Sequence, residues 1–415
     1  MKVSPLEILK QCFEKVVPSQ DTRTNISPLE FVVSLVFCHL GDSKTFSLEA
    51  IRRHMKEQTN KDISRSAFWE RLSRQRLKNY LKAVVAELMT QLSTSALIGT
   101  RLLSQLGVCG IWLVDSSSIS LWDGAKSAFP GTRTAAGIKW HASVDLLTGV
   151  MNWFKLTPTS RHDRTCFPDI QSLKGVLVIF DLGYWDYGLL FSIQQVGGFY
   201  LCRLKSNASI TIEEVVQGLS KKYRGKSLLS IKFKRKRTDI IEVKAEKCHD
   251  GKLLTCRVIG FWNPVERSYH WYMTNLTVGA FIIYPLYRIR WQIELIFKGC
   301  KNSLNANQIT PNDTNIIESL LLSSLAAQLT SHTIFNVGSR YLDQDQKLAI
   351  SFQRILKVTV DLSSEFIRFL LSSSREHFYN LLRKIKLFSN EIFDPNYKHR
   401  ESSLTRIHNI LENGA

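Results

Sequence analysis

The sequence predicts an α/β protein: a mixed β-sheet flanked by helices, interrupted by an all-β insertion, with helical N- and C-terminal regions. Three observations support this prediction. Short apolar runs alternate with helical segments over residues 106–206, short strand-like runs separated by turn residues fill 207–278, and the remaining segments show helical periodicity. Strands that alternate with helices are typical of a sheet covered by helices. The length of 415 residues allows more than one domain.

The N-terminal region, residues 1–105, is predicted to be helical and to bind DNA. Ser47 is suited to cap one helix, with Ile51 and Met55 on its buried face, and Ser64 is suited to cap the next. Arg65, Arg71 and Arg74 are predicted to face outward, and Arg76, Lys78 and Lys82 follow them in the sequence. Two short helices around a tight polar connection indicate a helix-turn-helix-like unit. A plain helical bundle with a solvated basic face explains this segment equally well.

Residues 106–206 are predicted to form the first part of the central sheet. The runs with strand character are 108–114, 139–145, 150–156, 175–180 and 198–205. The second and third flank a hairpin turn at 146–149, and helices are predicted at 163–173 and 185–196. This order of three strands, a helix, a strand, a helix and a strand indicates a mixed sheet.

Residues 207–278 are predicted to form the all-β insertion. The strand-like segments are 230–237, 240–247, 253–260 and 268–276. In the first segment Lys232, Lys234 and Lys236 alternate with further basic and aromatic residues. Such a row of cations is suited to contact a phosphate backbone. Alternatively, the row is only a solvated face.

The segment 279–310 carries the most informative pattern of the chain, formed by Tyr287, Arg290, Glu294 and Lys301. In a single helix, offsets of 3, 7 and 14 residues place all four side chains on one stripe. One carboxylate among cations and a phenol indicates a site for a metal ion and a phosphate. An ordinary ion pair between Arg290 and Glu294, four residues apart, explains part of the pattern without any function.

The C-terminal region, residues 311–415, is predicted to be mostly helical. Its apolar segments 319–329 and 366–371 are suited to pack on the core, to form a dimer interface, or both. The stretch 316–335 is interrupted by Glu318, Gln328 and His332, so we expect a buried amphipathic helix rather than a membrane span.

The composition favours an intracellular protein that binds polyanions. The net charge of +19 attracts nucleic acid or an anionic membrane surface, although a merely basic soluble protein has the same property. The eight cysteines form no Cys-x-x-Cys pair, which argues against a zinc ribbon and for a reducing compartment. Because no apolar leader or membrane span is visible, we expect the protein in the cytoplasm, with no membrane partner.

Two aspartates follow apolar strand-like runs and complete a candidate catalytic set. Asp115 precedes three serines, and Asp181 begins the sequence Asp-Leu-Gly-Tyr. The edge at which such strands end is a common place for an active site. Either aspartate alone is explained by a turn or a helix cap, but together with Glu294 they form three candidate metal ligands.

Three carboxylates without a His/Cys cluster suit Mg²⁺ or Mn²⁺ rather than zinc. Two such ions per active site would clamp the attacking and leaving oxygens of an in-line phosphoryl transfer. We expect Arg290 and Lys301 to hold the phosphate backbone rather than the metal.

Together these residues resemble the DDE transposases of bacterial insertion sequences, in the branch whose sheet carries a β-rich insertion. The signature of that branch, Tyr-x2-Arg-x3-Glu-x6-Lys, is complete from Tyr287 to Lys301, and Trp291 also fits. Asp115 with its serines and Asp181 in an Asp-x-Gly-aromatic pattern match the other two catalytic positions. The resemblance covers residues 108–305 and implies a ribonuclease-H-like core.

The resemblance also implies an activity. The enzyme would bind the terminal inverted repeats of its element as double-stranded DNA, cut them, and join the freed 3′-hydroxyl to target DNA as a homodimer on the nucleoid. Trp271 resembles a tryptophan that stacks on a flipped base, although packing within the insertion explains it equally well. His162 and Asp163 are candidates to lie near the site. The alternatives are a catalytically inactive DNA-binding relative and a ribonuclease-H-like nuclease that cuts without joining.

Overall fold

A computed structural model of the chain contains a mixed sheet of nine strands among the described residues. The structure describes residues 4–20, 24–38, 47–92, 101–231, 238–303, 311–343, 346–347, 349–396 and 409. The strands are β1 Gly110–Leu121, β2 Ala136–Asp145, β3 Met151–Pro158, β4 Val176–Phe180, β5 Phe199–Arg203, β6 Thr211–Gln217, β7 Ile240–His249, β8 Lys252–Asn263 and β9 Ser268–Thr274. Their order in the sheet is β3-β2-β1-β4-β5-β9-β8-β7-β6.

Helices precede, flank and follow this sheet. They are α1 Pro5–Glu14, α2 Pro28–Cys38, α3 Leu48–Thr59, α4 Arg65–Ser73, α5 Gln75–Leu92, α6 Arg101–Leu106, α7 Tyr187–Gln195, α8 Ala280–Arg288, α9 Trp291–Ser303, α10 Thr314–Gly338, α11 Phe352–Asp361, α12 Ser363–Leu371 and α13 Arg375–Leu387. The predicted α/β class, a mixed sheet flanked by helices, is confirmed.

The first five strands form the part of the sheet that positions the candidate site. β1, β2 and β3 are antiparallel neighbours, whereas β1, β4 and β5 run parallel. This 3-2-1-4-5 order is that of a ribonuclease-H-like core. The predicted hairpin turn between β2 and β3 is present: Asp145 Oδ1 accepts hydrogen bonds from the backbone N–H groups of Leu147 and Thr148.

β1 is longer than the sequence predicted. We expected it to end before Asp115, but it continues to Leu121. The parallel neighbour β4 ends opposite Val114, whereas the antiparallel neighbour β2 pairs with β1 along its whole second half. Asp115 therefore lies within β1, at the point where the neighbouring strand β4 has ended and the other neighbour, β2, continues.

The strands of segment 207–278 extend the core sheet instead of forming a sheet of their own. β9 pairs with β5, and β8, β7 and β6 follow in order. Three predicted strands are present as β7, β8 and β9, and β6 was missed. The predicted strand at 230–237 is wrong at its start, because Leu228–Ser230 is a 3₁₀ turn. Residues 232–237, including Lys232, Lys234 and Lys236, lie outside the described part of the chain.

Alternate residues of the central strands enter two different apolar cores, as strand geometry requires. On β4, Leu177 and Ile179 join the larger core, which includes α9 and the terminal helices, and Val178 and Phe180 join the smaller core with α7. The helix predicted at 163–173 is replaced by two short 3₁₀ turns, Asp163–Thr165 and Ile170–Leu173.

The N-terminal helices begin where the sequence predicted. Ser47 and Ser64 cap α3 and α4 by accepting hydrogen bonds from the backbone N–H three residues later. The prediction that Arg71 faces outward is wrong. Its guanidinium lies 4.3 Å from the centre of the Phe31 ring and donates to the Ile26 carbonyl at 2.8 Å, so it fixes α4 against α2.

The C-terminal helices pack on the core. α10 is buried around almost its whole circumference and packs against α5 of the N-terminal region. Within the described residues, no helix combines the length and apolar character needed to cross a bilayer. The sequence predicted amphipathic burial for 316–335, but the helix is enclosed on all sides because both terminal regions surround it.

The stacked pair of Phe37 and Phe366 provides a test of this arrangement. The ring centres are 5.4 Å apart and join α2 to α12, with both side chains buried. We expect Phe366→Ala to lower the free energy of unfolding by about 3–5 kcal/mol, because it leaves a cavity in the core. Urea denaturation measures the loss, and Phe281→Ala, at an exposed phenylalanine, is the matched control. A loss equal to that of the control would contradict packing between the terminal regions.

Candidate active site

The two candidate aspartates are neighbours across parallel strands. The last residue pair between the parallel strands β1 and β4 is Val114 with Phe180. Asp115 and Asp181 are therefore the next residues along the two strands. Leu113 belongs to the larger core and Val114 to the smaller one, so Asp115 lies on the α9 side of the sheet. Residues separated by 66 positions in sequence are thereby placed side by side.

The Tyr-Arg-Glu-Lys segment spans two helices, not the single helix that the sequence predicted. α8 ends at Arg288 and α9 begins at Trp291. Between them the backbone hydrogen bonds reach back three residues, from Arg290 N to Tyr287 O at 3.0 Å and from Ile293 N to Arg290 O at 3.1 Å. This tight turn is of the 3₁₀ type. It separates Tyr287, on α8, from Arg290, so the two residues do not lie on one continuous α-helix.

Arg290 joins two of the three candidate carboxylates. Its Nη1 donates to Asp115 Oδ2 at 2.6 Å, and its Nη2 donates to Glu294 Oε1 at 2.5 Å. The simple ion pair between Arg290 and Glu294 therefore exists, but the same guanidinium also binds an aspartate of the sheet. The Arg290 and Asp115 side chains are only 13% and 14% exposed. The structure thus brings Asp115 and Glu294 to one place.

The third carboxylate, Asp181, is reached by Tyr287. The tyrosine hydroxyl donates to Asp181 Oδ1 at 3.4 Å, and its ring lies 5.0 Å from the ring of Tyr272. Burial raises the pKa of the Tyr287 phenol, so it remains a neutral donor. Asp115 and Asp181 consequently both contact the segment that carries Glu294.

The site holds more negative than positive charge. Burial, assisted by the charges of Asp181 and Glu294, raises the pKa of Asp115 to about 6, although Arg290 and the Ser116 N–H act in the opposite direction. Burial by itself would lower the pKa of Arg290, but Asp115 and the other carboxylates raise it. One guanidinium neutralises only part of the negative charge of three carboxylates. The site therefore favours the binding of further cations.

Lys301 lies beside β1 rather than on the carboxylates. Its Nζ donates to the Ser118 carbonyl at 2.6 Å, and burial lowers its pKa. Since Ser118 is three residues beyond Asp115 on the same strand, Lys301 places a cation on the approach to the carboxylates.

Asp163 is brought next to both aspartate-bearing segments. It accepts hydrogen bonds from Ser116 Oγ at 2.9 Å and is paired with Lys139 Nζ at 3.0 Å. A side chain at Gly183 would come within 3.1 Å of Asp163 Oδ2, which explains why glycine follows Asp181 at this spacing. His162, by contrast, is exposed, and no contact with the carboxylates is found for it among the described residues.

Behind Asp163 lies a buried polar network that the sequence pattern did not indicate. His141, fully buried on β2, contacts the Tyr184 hydroxyl and Thr157 Oγ1, each at 3.0 Å. Burial lowers the pKa of His141 to about 4, so the imidazole is neutral at physiological pH. A lone histidine in a predicted strand was the only sequence signal, and its partners come from β3 and from the turn after β4.

Trp271 occupies the face of the sheet away from Tyr287. It packs over the backbone of Gly260, where a β-carbon would come within 2.6 Å of its ring, and its ring lies 5.6 Å from that of Tyr269. The neighbouring Tyr272 is the residue that contacts Tyr287. This arrangement agrees with the alternative in which Trp271 packs within the insertion rather than stacking on a flipped base. Trp291, in contrast, is 57% exposed directly beside Arg290.

No group of three His, Cys, Asp or Glu side chains converges closely enough to hold a metal ion within the part of the chain that the structure describes. Arg290 occupies the space between Asp115 and Glu294. The donor chemistry nevertheless fits a hard divalent cation, since the three side chains supply carboxylate oxygens and their negative charge is only partly neutralised.

Comparison with known proteins identifies similar sequences. Residues 110–329 match a family model described as a transposase DDE domain. The chain is 25% identical over 346 residues to the transposase for insertion sequence element IS1151 of Clostridium perfringens, covering 67% of this chain and 73% of that protein. It is 23% identical over 323 residues to the transposase for insertion sequence element IS231F of Bacillus thuringiensis subsp. israelensis, covering 66% of this chain and 67% of that protein.

A solved structure also aligns with the chain. The piggyBac transposase synaptic complex with hairpin DNA aligns with a TM-score of 0.49 and 12% identity, covering 92% of this chain and 85% of that one. This similarity is too low to support an inference about the site.

Proposed function

This chain belongs to the transposase DDE domain family and is a DNA-transposing enzyme of the insertion-sequence type, and from that premise we propose its reaction. The protein binds the terminal inverted repeats of its own element, hydrolyses the DNA at those ends, and joins the freed 3′-hydroxyl to target DNA in a cut-and-paste reaction. Asp115, Asp181 and Glu294 are the catalytic residues of this proposal. It is supported chiefly by the contact of Arg290 with both Asp115 and Glu294.

Two Mg²⁺ or Mn²⁺ ions are the proposed cofactor, held by the oxygens of Asp115, Asp181 and Glu294. When bound, these ions lower the pKa of the attacking water or 3′-hydroxyl and neutralise charge on the phosphoryl oxygens. The protein's own contribution is rigidity. Asp115 is fixed within a strand, Asp181 follows a fully buried strand, and Glu294 stands on a helix whose opposite face is buried.

Arg290 has two proposed roles. Without cations it compensates the carboxylates that it bridges. For Asp115 and Glu294 to bind cations, the guanidinium must release at least one of them, and it is then free to bind a phosphate through its planar fork of donors. Lys301, on the approach along β1, is proposed to contact the DNA backbone.

The partners follow from the same proposal. Two DNA ends require two active sites in one complex, so we propose a homodimer on double-stranded DNA. Residues 1–105 are proposed as the DNA-binding region, 106–206 and 279–310 as the catalytic core, 207–278 as the β-rich insertion, and 311–415 as the helical C-terminal region. A helix-turn-helix role for α3 and α4 stays a prediction.

The test is an end-cleavage and joining assay with magnesium. Linear DNA that carries the flanking ends of the gene is the substrate, and an unrelated plasmid is the target. We expect cuts at the ends followed by joined products, and calcium in place of magnesium should support binding without cutting. Cutting without joining would favour a nuclease, and end binding without cutting would favour an inactive relative.

The raised pKa of Asp115 predicts a pH dependence at limiting magnesium. Its charged form is present above about pH 6 and is lost as the pH falls through that value, because the proton then competes with the cation. We expect the apparent magnesium affinity to weaken by about tenfold per pH unit below about pH 6. Magnesium titrations of the cleavage rate at several pH values measure this. An affinity that stays constant to about pH 4, the ordinary range of a carboxyl, would contradict it.

Asp163 is proposed as a positioning residue, since it contacts Ser116 next to Asp115 and lies against Gly183 near Asp181. We expect Asp163→Asn to lower the cleavage rate by about tenfold, because the loss of its charge removes the ion pair with Lys139 and weakens the hydrogen bond from Ser116. End binding in calcium should be unchanged. Asp169→Asn, at an exposed aspartate nearby, is the matched control. Equal rates for the two variants would remove Asp163 from the site.

A further inference from the structure

A polar cleft opens beside the candidate active site. Its volume is about 570 Å³, and its walls come from the second half of β1, the loop at 130–134 and the loop at 159–163. The described residues that line it are Ser118, Ile119, Ser120, Thr132, Arg133, Thr134, Lys139, Thr159, Ser160, Arg161, His162 and Asp163. Apart from Asp163, none of these side chains has a role in the reaction proposed above.

The cleft is connected to the catalytic residues at two points. Ser118, on its wall, accepts the hydrogen bond from Lys301, which follows Glu294 on α9. Asp163, at its inner end, accepts from Ser116, the neighbour of Asp115. The cleft therefore borders the part of β1 that follows Asp115.

The charge of the cleft favours an anion. Three cationic side chains face one carboxylate among the described lining residues, and Lys139 already pairs with that carboxylate, Asp163. Arg133 and Arg161 are exposed, and neither has an acidic partner among the described ion pairs. Two guanidinium groups therefore face a cleft whose other described lining residues are mainly serines and threonines.

The walls are fixed to one another by hydrogen bonds. Thr132 Oγ1 donates to the Thr159 carbonyl at 2.9 Å, and Lys139 Nζ donates to the Arg161 carbonyl at 2.9 Å. The backbone N–H of Ser160 donates to the Pro130 carbonyl at 3.3 Å. The cleft is thus preformed, which reduces the entropic cost of holding an extended chain.

The chemistry of the lining favours phosphates over bases. No Phe, Tyr or Trp is found among the described lining residues, so the cleft offers no aromatic surface on which bases stack. Hydroxyl and guanidinium groups bind phosphate oxygens, and such contacts carry no sequence information. A second cleft, which includes Trp262, Phe281 and Tyr284, has the opposite character.

We propose that the cleft holds the phosphodiester backbone of the target DNA, through Arg133 and Arg161. This proposal rests on the transposase reaction proposed above. In that reaction the ends are recognised by sequence, whereas the target need not be. A grip on the backbone beside the carboxylates positions a target phosphate for attack by the 3′-hydroxyl, without dependence on the target sequence.

The test separates joining from cutting. The variant is Arg133→Gln with Arg161→Gln, and the control is Arg375→Gln with Arg383→Gln, which removes two exposed charges from α13. Pre-cut ends and an unrelated plasmid below saturation are the substrates. We expect joining to fall by about tenfold in the variant and to recover with excess plasmid, because two phosphate contacts are lost. Cleavage of uncut ends should match that of the control.

Further outcomes overturn the proposal. Equal joining by variant and control would show that the cleft does not hold target DNA. An equal loss in end cleavage would assign the cleft to the transposon ends instead. If the unaltered protein neither cuts nor joins, the proposed function fails, and binding of an unrelated duplex in calcium still tests the cleft. The slope of log affinity against log salt should then be smaller by about 2 in the variant, and an unchanged slope would refute the proposal.

Discussion

Glu294→Gln is expected to abolish metal-dependent cleavage of the DNA ends while leaving the binding of those ends intact. The substitution keeps the size of the side chain and a carbonyl oxygen that accepts the hydrogen bond from Arg290, but it removes a charged metal ligand. Loss of about 4 kcal/mol of transition-state stabilisation corresponds to about 10³-fold in rate. Single-turnover cleavage in magnesium measures the chemistry, and a gel-shift assay in calcium measures end binding.

The control for this variant is Glu391→Gln, which neutralises an exposed carboxylate in the C-terminal region. Thermal unfolding of both variants should match that of the unaltered protein, because neither change opens a cavity. Cleavage by Glu294→Gln at the rate of the control would refute the assignment of the active site. Joint loss of cleavage and end binding would instead assign Glu294 to DNA recognition.

Arg290→Ala is expected to produce the largest loss of stability among the site variants when divalent cations are chelated. Arg290 is largely shielded from solvent and is the guanidinium that compensates both Asp115 and Glu294. Its removal leaves these carboxylates without compensation, which costs about 3–5 kcal/mol for a buried pair. Arg290→Lys should be intermediate, because an ammonium group cannot bridge two carboxylates with the same planar geometry.

Urea denaturation in chelator and in magnesium distinguishes charge compensation from lost packing. Magnesium should restore part of the stability of Arg290→Ala, because the cations then neutralise the carboxylates. Adding Asp115→Asn to Arg290→Ala should also restore part of it, since one unpaired charge is removed. Arg288→Ala, at an exposed arginine two residues earlier, is the matched control and should lose little. Equal losses in the presence and absence of magnesium would show that Arg290 acts only through packing.

Features that depend on residues close in sequence were predicted correctly. The caps at Ser47 and Ser64 are hydrogen bonds to a backbone group three residues away, so a short segment specifies them. The strands of the core follow from local runs of apolar residues. The spacing of Tyr287, Arg290, Glu294 and Lys301 is sufficient to indicate the family without any tertiary contact. The comparisons confirm that family.

Features that depend on pairing between distant segments were decided by the tertiary structure. Asp115 lies within β1 because β2 continues past the end of β4, which the sequence of β1 does not encode. The insertion extends the core sheet because β9 pairs with the edge of β5 that β4 leaves unpaired. The turn between α8 and α9 lets Arg290 reach both Asp115 and Glu294, and the Asp163 network and the cleft beside it require loops that fold against each other. Hydrogen bonds within three or four residues are specified locally, whereas register and loop contacts arise only when the whole chain is packed.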